Sequence, residues 1–160
     1  MLEYASMGIK IVARNRKANF EYFLLERYEA GIELRGSEIK SLRAGKVSIN
    51  EAYVSIEGFQ AWLMEAHIAP YESASHYNHE PKRIRRLLLH KKQILEIWNT
   101  IRLKGVTVIP TQVYLKDGRA KVEIAVAKGK KLYDKRQSIA DKDQERELGR
   151  SQKRGRDSYD

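Results

Sequence analysis

The chain has 160 residues and a formal net charge of +10, from 31 lysines and arginines against 21 acids. That length houses one domain with a proper core plus an appendage rather than two domains, and a cationic excess spread along the chain makes phosphate-rich partners the first suspects. With no cysteine, disulfides and thiolate metal sites are excluded and no oxidising compartment is required, so a cytoplasmic location is expected.

Residues 1–8 carry Glu3, no basic leader and no long apolar run, and are read as a flexible N-terminus; no later stretch approaches the ~20 apolar residues of a membrane span. Neither export nor a membrane partner is expected. Residues 9–13 read as a strand, followed by a basic turn of Arg14, Asn15, Arg16, Lys17 and Asn19. A strand pattern over residues 20–29 is interrupted by Ala30-Gly31 and continues over 32–35; a glycine there predicts a bulge or a sharp bend. "GSEIKSLRAGK" switches to helical logic. Ser37 can cap, Glu38 favours the positive helix end, Ile39 and Leu42 share a face, and Gly45 suits the C-terminal cap. A short helix at this place is expected to plug one end of a barrel.

Residues 52–56 and 59–67 form two strand patterns around Glu57-Gly58, and Pro70 ends the second. Residues 71–86, "YESASHYNHEPKRIRR", are polar and turn-rich and are assigned to neither strand nor helix. Ile94, Ile97, Trp98 and Ile101 recur at i, i+3, i+4 and i+7, which predicts a helix over Lys91–Lys104 stopped by Gly105 and packing that stripe on the sheet. Residues 106–115 and 120–127 flank Lys116-Asp117-Gly118-Arg119, where Asp-Gly between alternating apolar runs is a strong hairpin signal.

About six strands and two helices predict a mainly β fold: a small closed antiparallel barrel of the oligonucleotide-binding type over residues 9–127, with an open α+β sheet as the alternative. Residues 128–160 form a basic tail whose apolar residues are too sparse for a core. It is expected to be disordered alone and to become helical against a charged partner, the helix ending before Gly149.

Catalysis finds little support. His76 and His79 have H-x-x-H spacing without a third ligand, no Ser-His-Asp or phosphate-loop pattern exists, and no cofactor, metal or enzymatic activity is expected. Binding is favoured. Three basic groups can share a barrel surface: Arg14, Arg16 and Lys17; Lys40, Arg43 and Lys46; and Lys82, Arg83, Arg85 and Arg86. Each is either a solvated face or a set of phosphate contacts, and their number tilts the balance towards RNA. Tyr53, Trp62, Tyr71 and Tyr77 are stacking platforms or core. Glu29, beside the presumed bend, is either a structural acid or a residue that accepts hydrogen bonds from base amino and imino groups.

As an ordered set, "ARNRKA" from Ala13, "EYF" from Glu21, "YEAGIEL" from Tyr28, "GSEIKSLRAGK" from Gly36, "NHEP" from Asn78, "RRLLLHKK" from Arg85 and "AKGKKLYDKR" from Ala127 closely resemble the SsrA-binding protein family of bacterial trans-translation. The resemblance implies an oligonucleotide-binding-type barrel that grips the tRNA-like domain of transfer-messenger RNA. It further implies delivery of that RNA, with elongation factor Tu, to stalled 70S ribosomes. By the same resemblance Glu29, Leu88 and His90 contact the RNA, while Gly129, Lys130, Lys131, Asp134, Lys135 and Arg136 enter the empty messenger channel. Leu88 is alternatively core, and His90 alternatively the cap of the helix that follows it. Phe20 departs from the histidine of many relatives.

Overall fold

The computed structural model describes residues 8–71, 78–131, 136 and 139–146. Among the described residues there are nine strands: β1 (Ile9–Arg14), β2 (Tyr22–Ile32), β3 (Val47–Ser48), β4 (Tyr53–Glu57), β5 (Gln60–Met64), β6 (His67–Ile68), β7 (Arg85–Leu88), β8 (Thr107–Lys116) and β9 (Arg119–Gly129). Three helices interrupt them, α1 (Ala18–Glu21), α2 (Gly36–Arg43) and α3 (Lys91–Lys104), and residues 139–146 of the tail are helical with exposed side chains.

Seven strands form one antiparallel sheet in the order β1-β8-β9-β2-β7-β5-β4, and β3 pairs with β6 in a separate two-residue ladder. The edges β1 and β4 do not pair, so the sheet is open where a closed barrel was expected. The mainly β class holds. β3 lies against β1 and β4 lies against β8, so side-chain packing between these elements takes the place of a closing ladder.

Strand alternation explains the core. Ala30 of β2, Ala61 and Leu63 of β5, Leu87 of β7, Val113 and Leu115 of β8, and Val122 and Ile124 of β9 all point inward and are buried, with Leu42 of α2 and Ile97 of α3 completing the same cluster. Removing a fully buried side chain such as Ile97 costs about 2–5 kcal/mol through lost transfer energy and the cavity left behind.

Several expectations need correction. The strand through Ala30-Gly31 does not bend there: Arg27 to Gly31 pair continuously with β9, and the irregularity lies between Leu24 and Arg27. Gly31 is instead a place of close approach, since a Cβ on it would lie 3.2 Å from the Leu88 Cβ on β7. Ser37 is not the cap of α2. That place falls to Arg35, whose N–H donates to Glu38 Oε1 at 2.8 Å, while the Ser37 hydroxyl turns inward to His79 Nδ1 at 2.9 Å. Trp98 leaves the core stripe and is 41% exposed, with the Arg102 guanidinium 4.6 Å from its ring centroid.

The Asp-Gly hairpin is as expected. Asp117 and Gly118 both have positive φ, 50° and 80°, which twists a two-residue turn in the sense its strands need. Pro110 sits mid-strand in β8, where it donates no ladder hydrogen bond; the register with β9 shifts between Pro110 and Gln112, as a bulge requires.

Candidate nucleic-acid interface

The bulge in β8 shapes the first basic loop. Asn15 donates its side-chain amide to the Pro110 carbonyl at 3.0 Å and its backbone N–H to the Thr111 carbonyl at 2.8 Å, and its Oδ1 accepts from the Lys17 N–H at 3.1 Å. Asn15 is therefore committed to the loop itself, which presents Arg14, Arg16 and Lys17 outward. The Arg16 N–H reaches Asn50 Oδ1 at 2.9 Å, and a shallow groove lined by Arg14, Arg16, Gly45, Val47 and Ser48 joins this loop to the end of α2. Exposed Arg43 and Lys46 flank that end. Two of the expected basic groups thus meet on one side. Lys40 faces elsewhere, with its ammonium 5.4 Å from the Tyr71 ring centroid, and Lys17 pairs with Glu51 on the surface.

The third group behaves differently. Arg85 is fully buried: its Nε donates to Glu38, and its remaining nitrogens reach the Ala66 carbonyl at 2.8 Å and the Pro81 carbonyl at 3.0 Å. No phosphate can reach it, so the expectation that Arg85 binds RNA is corrected. Arg83 joins the same carboxylate at 2.5 Å, and Lys82 lies 3.5 Å from Glu65. Burial alone would raise the Glu38 pKa, yet hydrogen bonds from Arg83, the Arg35 N–H and Arg85 hold it below the ordinary carboxylate value. Arg86 stays half-buried, with Nε on Gln60 at 2.7 Å.

A second face is built by register. Directly opposed residues and residues two apart share a face of a sheet, so Tyr114 of β8, Lys121 of β9, Gly31 of β2 and Leu88 of β7 form one row across four strands. Glu29 lies two residues before Gly31, and Lys116 two after Tyr114. Leu88 is 46% exposed; the outward register of a four-residue strand, not the core, accounts for it. His90 follows two residues later at the start of α3, its N–H accepted by Gln93 Oε1 at 3.1 Å and its carbonyl accepting from Ile94 N at 3.1 Å. The structure thus brings Glu29 and Leu88 together around Gly31, with His90 at the adjoining helix cap.

Glu29 is 42% exposed and is not alone. The Tyr114 hydroxyl donates to its Oε2, and Lys116 Nζ lies 3.6 Å from its Oε1. The tyrosine hydrogen bond, followed by attraction from Lys116 and Lys121, outweighs burial and lowers the carboxylate pKa. Burial and the same hydrogen bond raise that of Tyr114. Lys116, Lys121 and Tyr114 were not singled out from the sequence, although the Asp-Gly turn fixes their register and alternation puts them on the polar face.

Among the aromatic candidates, Tyr53 is exposed and Trp62 half-buried opposite Arg86; Tyr77 lies outside the described residues. At the tail root, Gly129 still pairs with Tyr22, the Lys130 N–H donates to the Glu21 carbonyl at 2.8 Å, and Lys130 Nζ donates to the Asn19 carbonyl at 2.8 Å while lying 5.0 Å from the Phe23 ring centroid. Lys131 is exposed, Arg136 is helical and exposed, and Asp134 and Lys135 lie outside the described residues. His79 spends both ring nitrogens within the fold, on Ser37 and on the Ile68 carbonyl at 2.8 Å. Its expected partner in the H-x-x-H pair, His76, lies outside the described residues. Among the described residues, no group of three potential metal ligands occurs and no helix is long and apolar enough to cross a membrane.

An open antiparallel sheet with one basic groove and one polar face built around an exposed carboxylate is the kind of surface that β-sheet nucleic-acid-binding proteins present. Comparison with known proteins narrows it. The family model described as "SmpB protein" matches residues 12–154. An "SsrA-binding protein" of Desulforudis audaxviator is 54% identical over 142 residues, covering 89% of this chain and 93% of that protein. One of Fusobacterium nucleatum is 54% identical over 140 residues, covering 88% and 95%. A solved chain from "tmRNA-SmpB: a journey to the center of the bacterial ribosome" is 41% identical with a TM-score of 0.65, covering 79% of this chain and 93% of that one. The chain belongs to the SmpB protein family.

Proposed function

We propose that the protein is a non-catalytic adaptor. It binds the tRNA-like domain of transfer-messenger RNA through its sheet domain and accompanies that RNA, with elongation factor Tu, to ribosomes stalled without a stop codon. The observation that carries this reading is the shared outer face of Glu29, Lys121, Gly31 and Leu88 in a chain 41% identical to a solved tmRNA-SmpB component. An exposed carboxylate opposes phosphate, so its place beside Lys116 and Lys121 favours contact with base donors, while the cations take the backbone. Arg14, Arg16, Arg43 and Lys46 add sequence-independent, salt-sensitive affinity from the groove side. The role is delivery and positioning; peptide transfer belongs to the ribosome, and the site of action is the cytoplasm.

The tail beyond Lys131 is the second instrument. Its cations, with Lys135 and Arg136, suit a channel lined by ribosomal RNA, and an occupied channel would exclude it, so the tail distinguishes ribosomes with message from those without. Because β9 pairs as far as Gly129 and Lys130 is tied to α1, the clean division falls after Lys131. A chain cut there is expected to bind the tRNA-like domain within about twofold of the full chain, since it keeps the contacts of the sheet face, while losing rescue of non-stop ribosomes. Gel shifts with that RNA and with ordinary tRNA, beside a rescue assay, check both halves. Equal affinity for the two RNAs would overturn the RNA assignment, and loss of RNA binding on truncation would overturn the division.

A further inference from the structure

Glu29 has a feature that burial and charge alone do not require: a tyrosine from the second strand along, Tyr114, holds one of its oxygens. Tyr114 is only 6% exposed and lies opposite Ile11 in the β1–β8 register, so its ring is enclosed and its hydroxyl can move little. Glu29 Oε1, by contrast, has a lysine partner at 3.6 Å, beyond hydrogen-bond length, at the end of a flexible four-carbon stem. One oxygen is fixed and the other is loosely attended.

We infer that Tyr114 is a positioning residue for RNA recognition: its hydroxyl fixes Glu29 Oε2 so that Oε1 accepts a hydrogen bond from an amino or imino group of an unpaired base, while Lys116 shifts from Glu29 to a phosphate. This rests on the assignment of Glu29 to the RNA. Three further charged groups face the same carboxylate. Lys121 on β9 attracts it; Glu123, its register partner on β9, would repel it; Arg27 on β2 draws Glu123 away at 3.5 Å, and the Thr111 hydroxyl donates to Glu123 Oε2 at 2.6 Å. Glu123 is thus occupied on its own side, which leaves Glu29 as the open carboxylate. A fixed acceptor suits recognition because the orienting cost is met before RNA arrives. The base class follows from chemistry. A carboxylate accepts only, so it selects the amino group of cytosine or adenine, or the adjacent imino and amino groups of guanine, over the single imino N–H of uracil, which two carbonyls flank.

The test is a double-mutant cycle on the full chain, with affinity for the tRNA-like domain as readout. Glu29→Gln is expected to weaken binding roughly 30-fold, the scale of one good base contact, and Tyr114→Phe about tenfold, the scale of a hydrogen bond to a charged group. The double variant should match Glu29→Gln, because the tyrosine acts only through the glutamate. Tyr114→Phe keeps the ring, and an unchanged slope of affinity against salt shows that the phosphate contacts remain. A pH series adds a signature that a merely structural tyrosine would not produce. The advantage of the parent chain over Glu29→Gln persists below the ordinary carboxylate range, whereas in Tyr114→Phe that advantage fades at higher pH, as the Glu29 pKa relaxes upward. If Glu29→Gln weakens binding but Tyr114→Phe does not, or the two effects add, the positioning role is overturned and the Glu29 assignment stands. If Glu29→Gln binds as the parent does, both fall.

Discussion

Two glutamates, Glu38 and Glu29, are each met by cations from neighbouring elements, and they serve opposite ends. Glu38, on α2, is completely buried and takes Arg83, Arg85 and the Arg35 N–H; its charge is fully spent inside the fold. Glu29 stands on the outer sheet face with one firm partner, Tyr114, and one distant one, Lys116. The same residue type becomes a rivet in one place and an open acceptor in the other, and what separates them is access to a partner from outside. Local sequence does not state it: Glu38 and Arg85 are 47 residues apart.

Breaking the closed cluster should give the largest effect. Arg85→Met leaves a buried carboxylate with only Arg83 and the Arg35 N–H, both on its other oxygen, and breaking a buried pair on one side costs about 3–5 kcal/mol, a large share of a small domain's stability. The urea midpoint is expected to fall accordingly. Joint replacement, Glu38→Leu with Arg85→Met, should recover much of the loss, because no fully buried charge remains and Arg83, whose side chain is 25% exposed, can turn to water. By contrast, Glu29→Gln should leave the midpoint nearly unmoved. A midpoint equally sensitive to both would dissolve the distinction between the clusters.

A smaller effect appears on acidification. Glu38 has its pKa lowered in the folded chain, so its contribution to stability is fully present above the unfolded value of about 4.3 and is lost as pH falls through the folded value. Between those limits the parent chain should lose stability more steeply than Glu38→Gln, and the difference between their urea midpoints should shrink as pH falls below the unfolded value. A difference constant with pH would mean that Glu38 does not titrate through its ion pairs.

How much could be read in advance follows from how local each signal is. Helix α3 was legible to the residue, because its apolar stripe and Gly105 lie within one segment, and the β8–β9 hairpin was legible because Asp117-Gly118 fixes its register. Strand β7 was not. It has four residues, its inward pair is Arg85 and Leu87, and an inward arginine makes a strand look polar until Glu38 is found beside it. The open edge between β1 and β4 was missed for a related reason: alternation reports which side of a strand is buried, not whether the last strand meets the first. Of the site, Glu29 stood out as an acid in a basic chain, with a structural role as its alternative, while Leu88 was named through the family resemblance, yet composition could not place Leu88 outside. Tyr114 escaped because a tyrosine in an apolar strand looks like core, and by exposure it nearly is.

The finest test of the open cluster is Gly31→Ala. Gly31 does not have positive φ, so alanine brings no backbone strain, and relief of glycine's entropic cost favours it by roughly 0.5–1 kcal/mol. Against this, the new Cβ would sit 3.2 Å from the Leu88 Cβ, tighter than ordinary contact, and crowding costs a similar amount unless the neighbour yields. Turning the Leu88 side chain leaves its Cβ in place, so that atom yields only by a small shift of strand β7, and glycine's relief is offset: the urea midpoint should move by about 1 kcal/mol or less in equivalent stability. What changes is the surface: Leu88 is pushed from its place beside Glu29 while the Tyr114 hydrogen bond stays intact. If the RNA reads Glu29 and Leu88 as one surface, affinity should fall about threefold, within the reach of a single lost apolar contact, with no change in salt slope. Unchanged affinity would show that Leu88 and Glu29 are recognised separately, although they share one face of the sheet.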